Sequence, residues 1–196
     1  MIIGIDLDGV TYDSQDIIKT AAEVYDVEHG GKGVINKKSP YVLEQYKWNK
    51  DECMTFLKDI VWQYTYNAPL KPYAKYVIDY LHDKGHKIYF ITSRGGYDLP
   101  HEDVLTEKTL EKDHMHFDQI FFGKHNKVKT LKEQHVDVMI DDNINNVKSI
   151  AKAGFNVIYF REQGSPAIRH KCVHTVTNWG EIYRYFKKLE DTATKK

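Results

Sequence analysis

The chain has 196 residues, 41% of them hydrophobic, with 28 Lys+Arg against 28 Asp+Glu and a formal net charge of zero. That length suits one domain with a small insert, and such a chain buries roughly 70% of its unfolded surface, enough to fold without metals or disulfides. The even balance speaks against a dedicated binder of nucleic-acid polymers, which carries a basic excess, and against a mainly disordered chain.

The first predicted element is a strand, Ile2–Ile5, ending abruptly in Asp6-Leu7-Asp8-Gly9. The opening apolar run is too short for a signal peptide, and no stretch reaches the roughly 18 apolar residues of a membrane span, so a cytoplasmic protein with no membrane partner is expected. Residues 14–70 hold no convincing strand. Ile17, Ile18, Ala21, Ala22 and Tyr25 make a helical stripe. Gly30-Gly31-Lys32-Gly33 follows no strand and lacks the spacing of a phosphate loop, so a flexible loop is expected. Ser39-Pro40 has the form of a cap with a first-turn proline, and Asn49 with Glu52 has the form of a capping box. Phe56, Leu57, Ile60, Val61 and Tyr64 continue that second helix. An insert of about 55 residues is too long for an ordinary connection.

Strands then alternate with helices. Pro72 opens a helix bearing Ala74, Val77, Ile78 and Leu81, and Gly85 stops it. The strand Lys87–Ile91 runs into Thr92-Ser93-Arg94-Gly95-Gly96, and residues 119–122 run into Gly123-Lys124. A helix over 127–134 precedes a strand over 137–140 that ends in Asp141-Asp142. A helix over 143–153, the strand Asn156–Phe160, a weaker strand over 172–176 and a closing helix over 179–189, capped by Thr177 or Asn178, complete the chain, with residues 191–196 expected to fray. Short, nearly continuous apolar runs between helices predict buried parallel strands: an α/β fold, a central sheet flanked by helices.

Ligands of open α/β sheets bind beyond the carboxyl ends of the strands. Those ends carry Asp6 and Asp8, then Thr92 and Ser93, then Lys124 to Lys127, then Asp141 and Asp142. Clustered carboxylates repel unless a cation joins them, and an all-oxygen set suits Mg²⁺ with a shared phosphate. Cys53 and Cys172 lie far apart without metal-ligand spacing, as do the ten histidines. Buried thiols in a reducing compartment, and structural or solvent-facing imidazoles, are expected.

The order of these motifs separates two phosphate-handling folds. A response-regulator receiver places its acidic pair first and a lone phospho-acceptor later; here DxD comes first and DD last. IGIDLDGV, ITSR, a lysine near GKHNKVK, and VMIDD, in that order, resemble the four motifs of the haloacid dehalogenase superfamily. APLKPYAKYVIDYLHDKGHKIYFITSR with TEKTLEKDHMHFDQIFFGK resembles its branch of 5′(3′)-deoxyribonucleotidases and bacterial relatives. The resemblance implies a Rossmann-like core at 1–13 and 71–196 with a helical cap at 14–70. It implies a Mg²⁺-dependent phosphomonoesterase working through an aspartyl-phosphate, with a nucleotide as substrate; other metabolite phosphates, or binding without turnover, are the alternatives.

It further implies that Asp6 is the nucleophile, that Asp8 is the acid and base and also meets the metal through its backbone carbonyl, and that Thr92 and Ser93 hold phosphate, with Arg94 holding the phosphate or a cap carboxylate, or making a surface ion pair. The motif lysine is Lys127 or Lys124, the first favoured. Asp142 aligns with the direct metal ligand, and Asp141 binds the lysine or a metal water. Asn146, one helical turn on, stands where other branches carry a further acid. The cap aromatics Trp48, Trp62 and Tyr66 are the candidate substrate contacts. A monomer or homodimer is expected.

Overall fold

The computed structural model describes residues 1–196 except 38, 40, 97, 98, 100, 195 and 196. The Ser39-Pro40 expectation therefore falls partly outside the described residues. Among those described, six strands form one parallel sheet in the order β3-β2-β1-β4-β5-β6. They are β1 (Ile2–Ile5), β2 (Lys87–Ile91), β3 (Gln119–Phe121), β4 (Val138–Asp141), β5 (Asn156–Phe160) and β6 (Val173–Val176). The helices are α1 (Ser14–Glu28), α2 (Lys50–Tyr66), α3 (Ala74–Asp83), α4 (Glu102–Lys112), α5 (Val128–Glu133), α6 (Ile144–Lys152) and α7 (Trp179–Thr194), with a 3₁₀ turn at Val42–Gln45.

Alternation along the strands supplies two cores. Ile3, Ile5, Ile88, Phe90, Val138, Ile140 and Ile158 face Val77, Ile78 and Leu81 of α3 and Ile182 and Phe186 of α7. Tyr89, Ile91, Met139, Val157 and Tyr159 face Leu131, Val147 and Ile150 on the other side. The central strands are buried on both faces, which is why they read as unbroken apolar runs.

A third cluster joins Ala22 of α1 and Val42 and Tyr46 around the 3₁₀ turn to Phe56, Leu57, Ile60, Val61 and Tyr64 of α2. Leu99 and Leu105 belong to it too, so α4 packs on the helical layer as well as on the sheet, where Leu110 is buried. The capping box at α2 is present: Asn49 Oδ1 accepts the Glu52 N–H (3.0 Å) and Glu52 Oε2 accepts the Asn49 N–H (2.7 Å).

The glycine-rich stretch is a loop as expected, and it is tethered: Asp26, itself buried, accepts the Gly31 N–H at its carbonyl and the Gly33 N–H at its carboxylate, both at 2.7 Å. Two local expectations need correction. The closing helix continues through Thr194 rather than fraying from Asp191. The helix after Pro72 starts two residues later, at Ala74, following Tyr73 in the left-handed region (φ 65°). No helix of the described residues is long and apolar enough to cross a membrane.

Candidate active site

β1 and β4 are neighbours, paired so that Ile5 lies beside Ile140, and the Asp6 N–H donates to the Ile140 carbonyl at 3.0 Å. The chain leaves β1 for β2 on one side, while β4 begins the other half of the sheet. This is a topological switch point, where open α/β sheets leave a crevice. Asp6 and the Asp141-Asp142 pair therefore emerge side by side from two strands far apart in sequence.

The turn after β1 is tight. The Thr11 and Tyr12 N–H groups both donate to the Leu7 carbonyl (2.9 and 2.8 Å), and the Thr11 hydroxyl donates to the Asp6 carbonyl (2.8 Å). Gly9 sits there at φ +76°, and a Cβ on it would stand 2.1 Å from Asp142 Oδ2. Glycine is required twice, for the backbone angle and for the space beside the acidic cluster.

The ammonium beside Asp6 is that of Lys127, not Lys124. Its Nζ lies 2.9 Å from Asp6 Oδ1 and 2.8 Å from Asp141 Oδ2, with the side chain only 1% exposed. Burial alone would discharge a lysine, but the two carboxylates hold its pKa above the ordinary value. Asp141 Oδ1 also accepts the Asn143 N–H (2.8 Å), and the Asn146 amide reaches Asp141 Oδ2 at 3.3 Å. Asn146 thus touches the cluster as an amide rather than as an acid.

Asp6, Asp141 and Asp142 bring carboxylate oxygens within 4.8 Å of one another. Three carboxylates against one ammonium leave two negative charges, and Asp142 has no ion-pair partner among the described residues. Burial, then the charges of Asp6 and Asp141, push Asp142 well above the ordinary carboxylate range. Burial, opposed by Lys127 and reinforced by Asp141 and Asp8, pushes Asp6 up to about 7. An all-oxygen set with a surplus of two negative charges fits a hard divalent cation such as Mg²⁺.

These shifts set a pH dependence. A carboxyl whose folded pKa is raised adds stability below its unfolded pKa and loses it as pH rises through the folded value. The metal-free protein is therefore expected to melt at a higher temperature near pH 5.5 than near pH 8. Added Mg²⁺, which needs the ionised carboxylates, is expected to raise the melting temperature more at pH 8. Thermal unfolding with and without Mg²⁺ at both pH values checks this; an Mg²⁺ effect larger at pH 5.5 would refute it.

Asp8 points elsewhere. Arg94 Nε donates to Asp8 Oδ2 at 2.9 Å and Arg94 Nη2 to Asp8 Oδ1 at 2.7 Å, a two-pronged ion pair. Burial raises the Asp8 pKa, but the Arg94 guanidinium outweighs it and holds the carboxyl below its usual value. The Asp8 carboxylate lies outside the three-carboxylate cluster, and Arg94 is paired with it. Thr92 is buried at the end of β2, where its Oγ1 accepts the Arg94 N–H at 3.1 Å.

A cavity of about 620 Å³ opens over Asp8, Ser93 and Arg94. Gln15, Ile18, Tyr41, Leu57 and Tyr64 wall it from the helical layer, Glu102 from α4, and His125, Asn143, Asn145 and Asn146 from the sheet side. Tyr41 crosses the gap: its hydroxyl accepts from Asn145 Nδ2 (2.6 Å) and donates to Asn143 Oδ1 (3.2 Å). Of these, Tyr41, Glu102, His125 and Asn145 carry no sequence motif of their own. The available signal was position, since His125 lies within GKHNKVK and Asn145 stands three residues past Asp142.

The expected aromatic contacts lie elsewhere. Trp48 is turned into the helical layer, stacked on Tyr46 (4.6 Å between centroids) with its Nε1 donating to Asp26 at 2.8 Å. Trp62 and Tyr66 stack on each other at 4.6 Å, and Trp62 is 48% exposed. The buried stripe of α2 at 56, 57, 60, 61 and 64 leaves 62 and 66 on the opposite face.

Residues 1–189 match the model of the family described as 5′ nucleotidase, deoxy (pyrimidine), cytosolic type C protein (NT5C). A protein of Clostridium acetobutylicum named as a nucleotidase is 31% identical over 112 residues, 55% of this chain and 56% of that one. YqfW of Bacillus subtilis, which bears a nucleotidase name, is 30% identical over 120 residues, 60% of each chain. The alignments thus span a little over half the length of these relatives. Among solved structures, the haloacid dehalogenase-like family hydrolase SP0104 of Streptococcus pneumoniae superposes with a TM-score of 0.68 at 18% identity, covering 94% of this chain and 97% of that one. A haloacid dehalogenase-like family hydrolase of Xanthomonas campestris gives a TM-score of 0.63 at 14% identity, covering 100% and 98%. These likenesses place the fold.

Proposed function

The chain belongs to the NT5C nucleotidase family, with the Rossmann-like fold of haloacid dehalogenase-type hydrolases, and from that premise we propose that it is a Mg²⁺-dependent phosphomonoester hydrolase acting on nucleoside monophosphates. The observation that carries the reading is the buried Asp6–Lys127–Asp141 clamp beside Asp142 at the β1/β4 switch point. Residues 14–70, together with α4, form the cap over the cavity.

In this reading Asp6 attacks phosphorus, and the bond to the leaving oxygen breaks with its electron pair going to that oxygen. Asp8, which must first take up a proton against its ion pair with Arg94, gives the oxygen that proton. Water then attacks the aspartyl-phosphate, Asp8 takes its proton, and the electron pair of the Asp6–phosphorus bond returns to Asp6. Lys127 aims Asp6 and opposes the burial that favours its protonated form. The Thr92 hydroxyl, already accepting from Arg94, keeps its own proton for a phosphoryl oxygen. Asp6, Asp141 and Asp142 would hold Mg²⁺, which neutralises phosphoryl charge when bound.

A cavity of about 620 Å³ suits a nucleotide-sized ligand. One observation favours the second reading, a phosphatase of sugar or other metabolite phosphates. The walls offer Gln15, Asn145 and Tyr41 hydroxyl and amide groups, while Trp48, Trp62 and Tyr66 point away. A screen of kcat/KM across nucleoside monophosphates and sugar phosphates, with Mg²⁺ and with EDTA, decides between them. Nucleotides are expected to lead by at least about tenfold, since a correctly filled pocket separates related substrates by 1–3 kcal/mol. A sugar phosphate in front would favour the second reading, and full activity in EDTA would reject the metal.

A further inference from the structure

We propose that Arg94 is a positioning residue that ties the Asp8 carboxylate to the cap, and not a ligand of the substrate phosphate; the proposal rests on the hydrolase reading above. Arg94 is among the most deeply buried charged side chains of the protein, at 2% exposure. Its planar fork carries five N–H groups in fixed directions. Nε and Nη2 are spent on the two oxygens of Asp8 (2.9 and 2.7 Å). Nη1 faces the Thr65 carbonyl at the end of α2 and the Thr106 hydroxyl of α4, each at 3.4 Å. The guanidinium lies between the rings of Tyr12 from the β1 turn (5.6 Å) and Tyr64 from α2 (6.0 Å).

The same loop is tied to the cap a second time. Glu102 Oε2 accepts the Gly95 N–H at 2.7 Å while Glu102 Oε1 accepts the Tyr64 hydroxyl. The backbone of Arg94 meanwhile donates to Thr92 Oγ1. Arg94 thus spans Asp8, the loop after β2 and the C-terminal end of α2. A charge spent this fully has little left for a phosphate. Its place fixes where the Asp8 carboxylate lies when the cap is seated, and a shift of α2 moves the Thr65 carbonyl that backs the guanidinium. A lysine keeps the charge but cannot bind both oxygens of Asp8.

The test separates positioning of the proton donor from general loss. p-Nitrophenolate leaves phosphorus without protonation, whereas the alkoxide of a nucleoside 5′-monophosphate needs a proton. Arg94→Lys and Arg94→Gln are measured on both substrates, with inhibition by inorganic phosphate alongside. Expected is a loss of kcat/KM about tenfold greater for the nucleotide than for p-nitrophenyl phosphate, with the phosphate inhibition constant changed less than about threefold. Equal losses on both substrates, or a phosphate inhibition constant rising in step with them, would overturn the proposal. If Arg94 variants fail to fold, Thr106→Val loosens Arg94 while leaving it in place. It is expected to bias the two substrates in the same direction by about twofold or more, and an unbiased effect would overturn the proposal equally. A wild-type protein that hydrolyses neither substrate refutes the hydrolase reading itself; one that hydrolyses both with an unmoved ratio refutes only the role of Arg94.

Discussion

Asp6→Asn is expected to lower phosphate release by at least about 10³-fold, the scale on which enzymes lose turnover when a covalent nucleophile is removed. The loss should not come from unfolding. Ionised Asp6 is disfavoured by burial and by the neighbouring Asp141 and Asp8, which together push its pKa up to about 7. An amide of the same shape removes that repulsion, so the metal-free variant near pH 8 is expected to melt no lower than the wild type. Steady-state assays with Mg²⁺ and thermal unfolding on the same samples check both halves. Activity within about tenfold of wild type would contradict the assignment of Asp6.

Lys127→Met is expected to damage activity and stability together. The Lys127 ammonium joins Asp6 to Asp141 inside the protein, with 1% of its side chain exposed. Removing one partner of a buried ionic cluster leaves uncompensated charge, at a cost of about 3–5 kcal/mol. For a chain of this size that lowers the melting temperature on the order of 10 °C. Because the folded pKa of Lys127 is raised, its contribution is fully present below the unfolded value and lost only as pH rises through the folded one. The deficit is therefore expected in full near pH 8. It should shrink near pH 5.5, where protonation of Asp6 relieves the charge the lysine had balanced. Turnover should fall about 10²–10³-fold, the effect of deleting one fixed electrostatic stabiliser. Normal melting at pH 8 would show that the lysine is not the keystone of the cluster.

The sheet was legible because its strands are buried on both faces. Ile2–Ile5, Lys87–Ile91 and Asn156–Phe160 read as unbroken apolar runs and fold as such. Each acidic or hydroxyl motif follows its strand directly, so the carboxyl-edge crevice could be read without coordinates. Helix α4 escaped the reading for a physical reason. Its buried face is Glu102, Leu105, Thr106, Thr109 and Leu110, in which polar side chains replace the aliphatic stripe. The Thr106 and Thr109 hydroxyls satisfy themselves on the Glu102 and Leu105 carbonyls, both at 2.7 Å, which allows them to be buried.

Pairings across the cap were likewise hidden. Arg94 and Asp8 are 86 residues apart, and Tyr41 and Asn145 are 104 apart. No local spacing announces either pair. The aromatics of α2 divide between its two faces: the 64 position reaches the cavity, while 62 and 66 stack outside it. Trp48 found its partner in Asp26, a buried carboxylate that the glycine-rich stretch wraps.

The central claim is that Asp6 becomes covalently phosphorylated during turnover. The direct measurement is acid quenching of the protein within the first turnovers on a phosphate-labelled substrate with Mg²⁺, followed by peptide mapping of the label. The expected result is label on the peptide containing Asp6, lost on treatment with hydroxylamine, and absent from Asp6→Asn. Sustained turnover with no label on that peptide, or with label on another residue, would contradict the account.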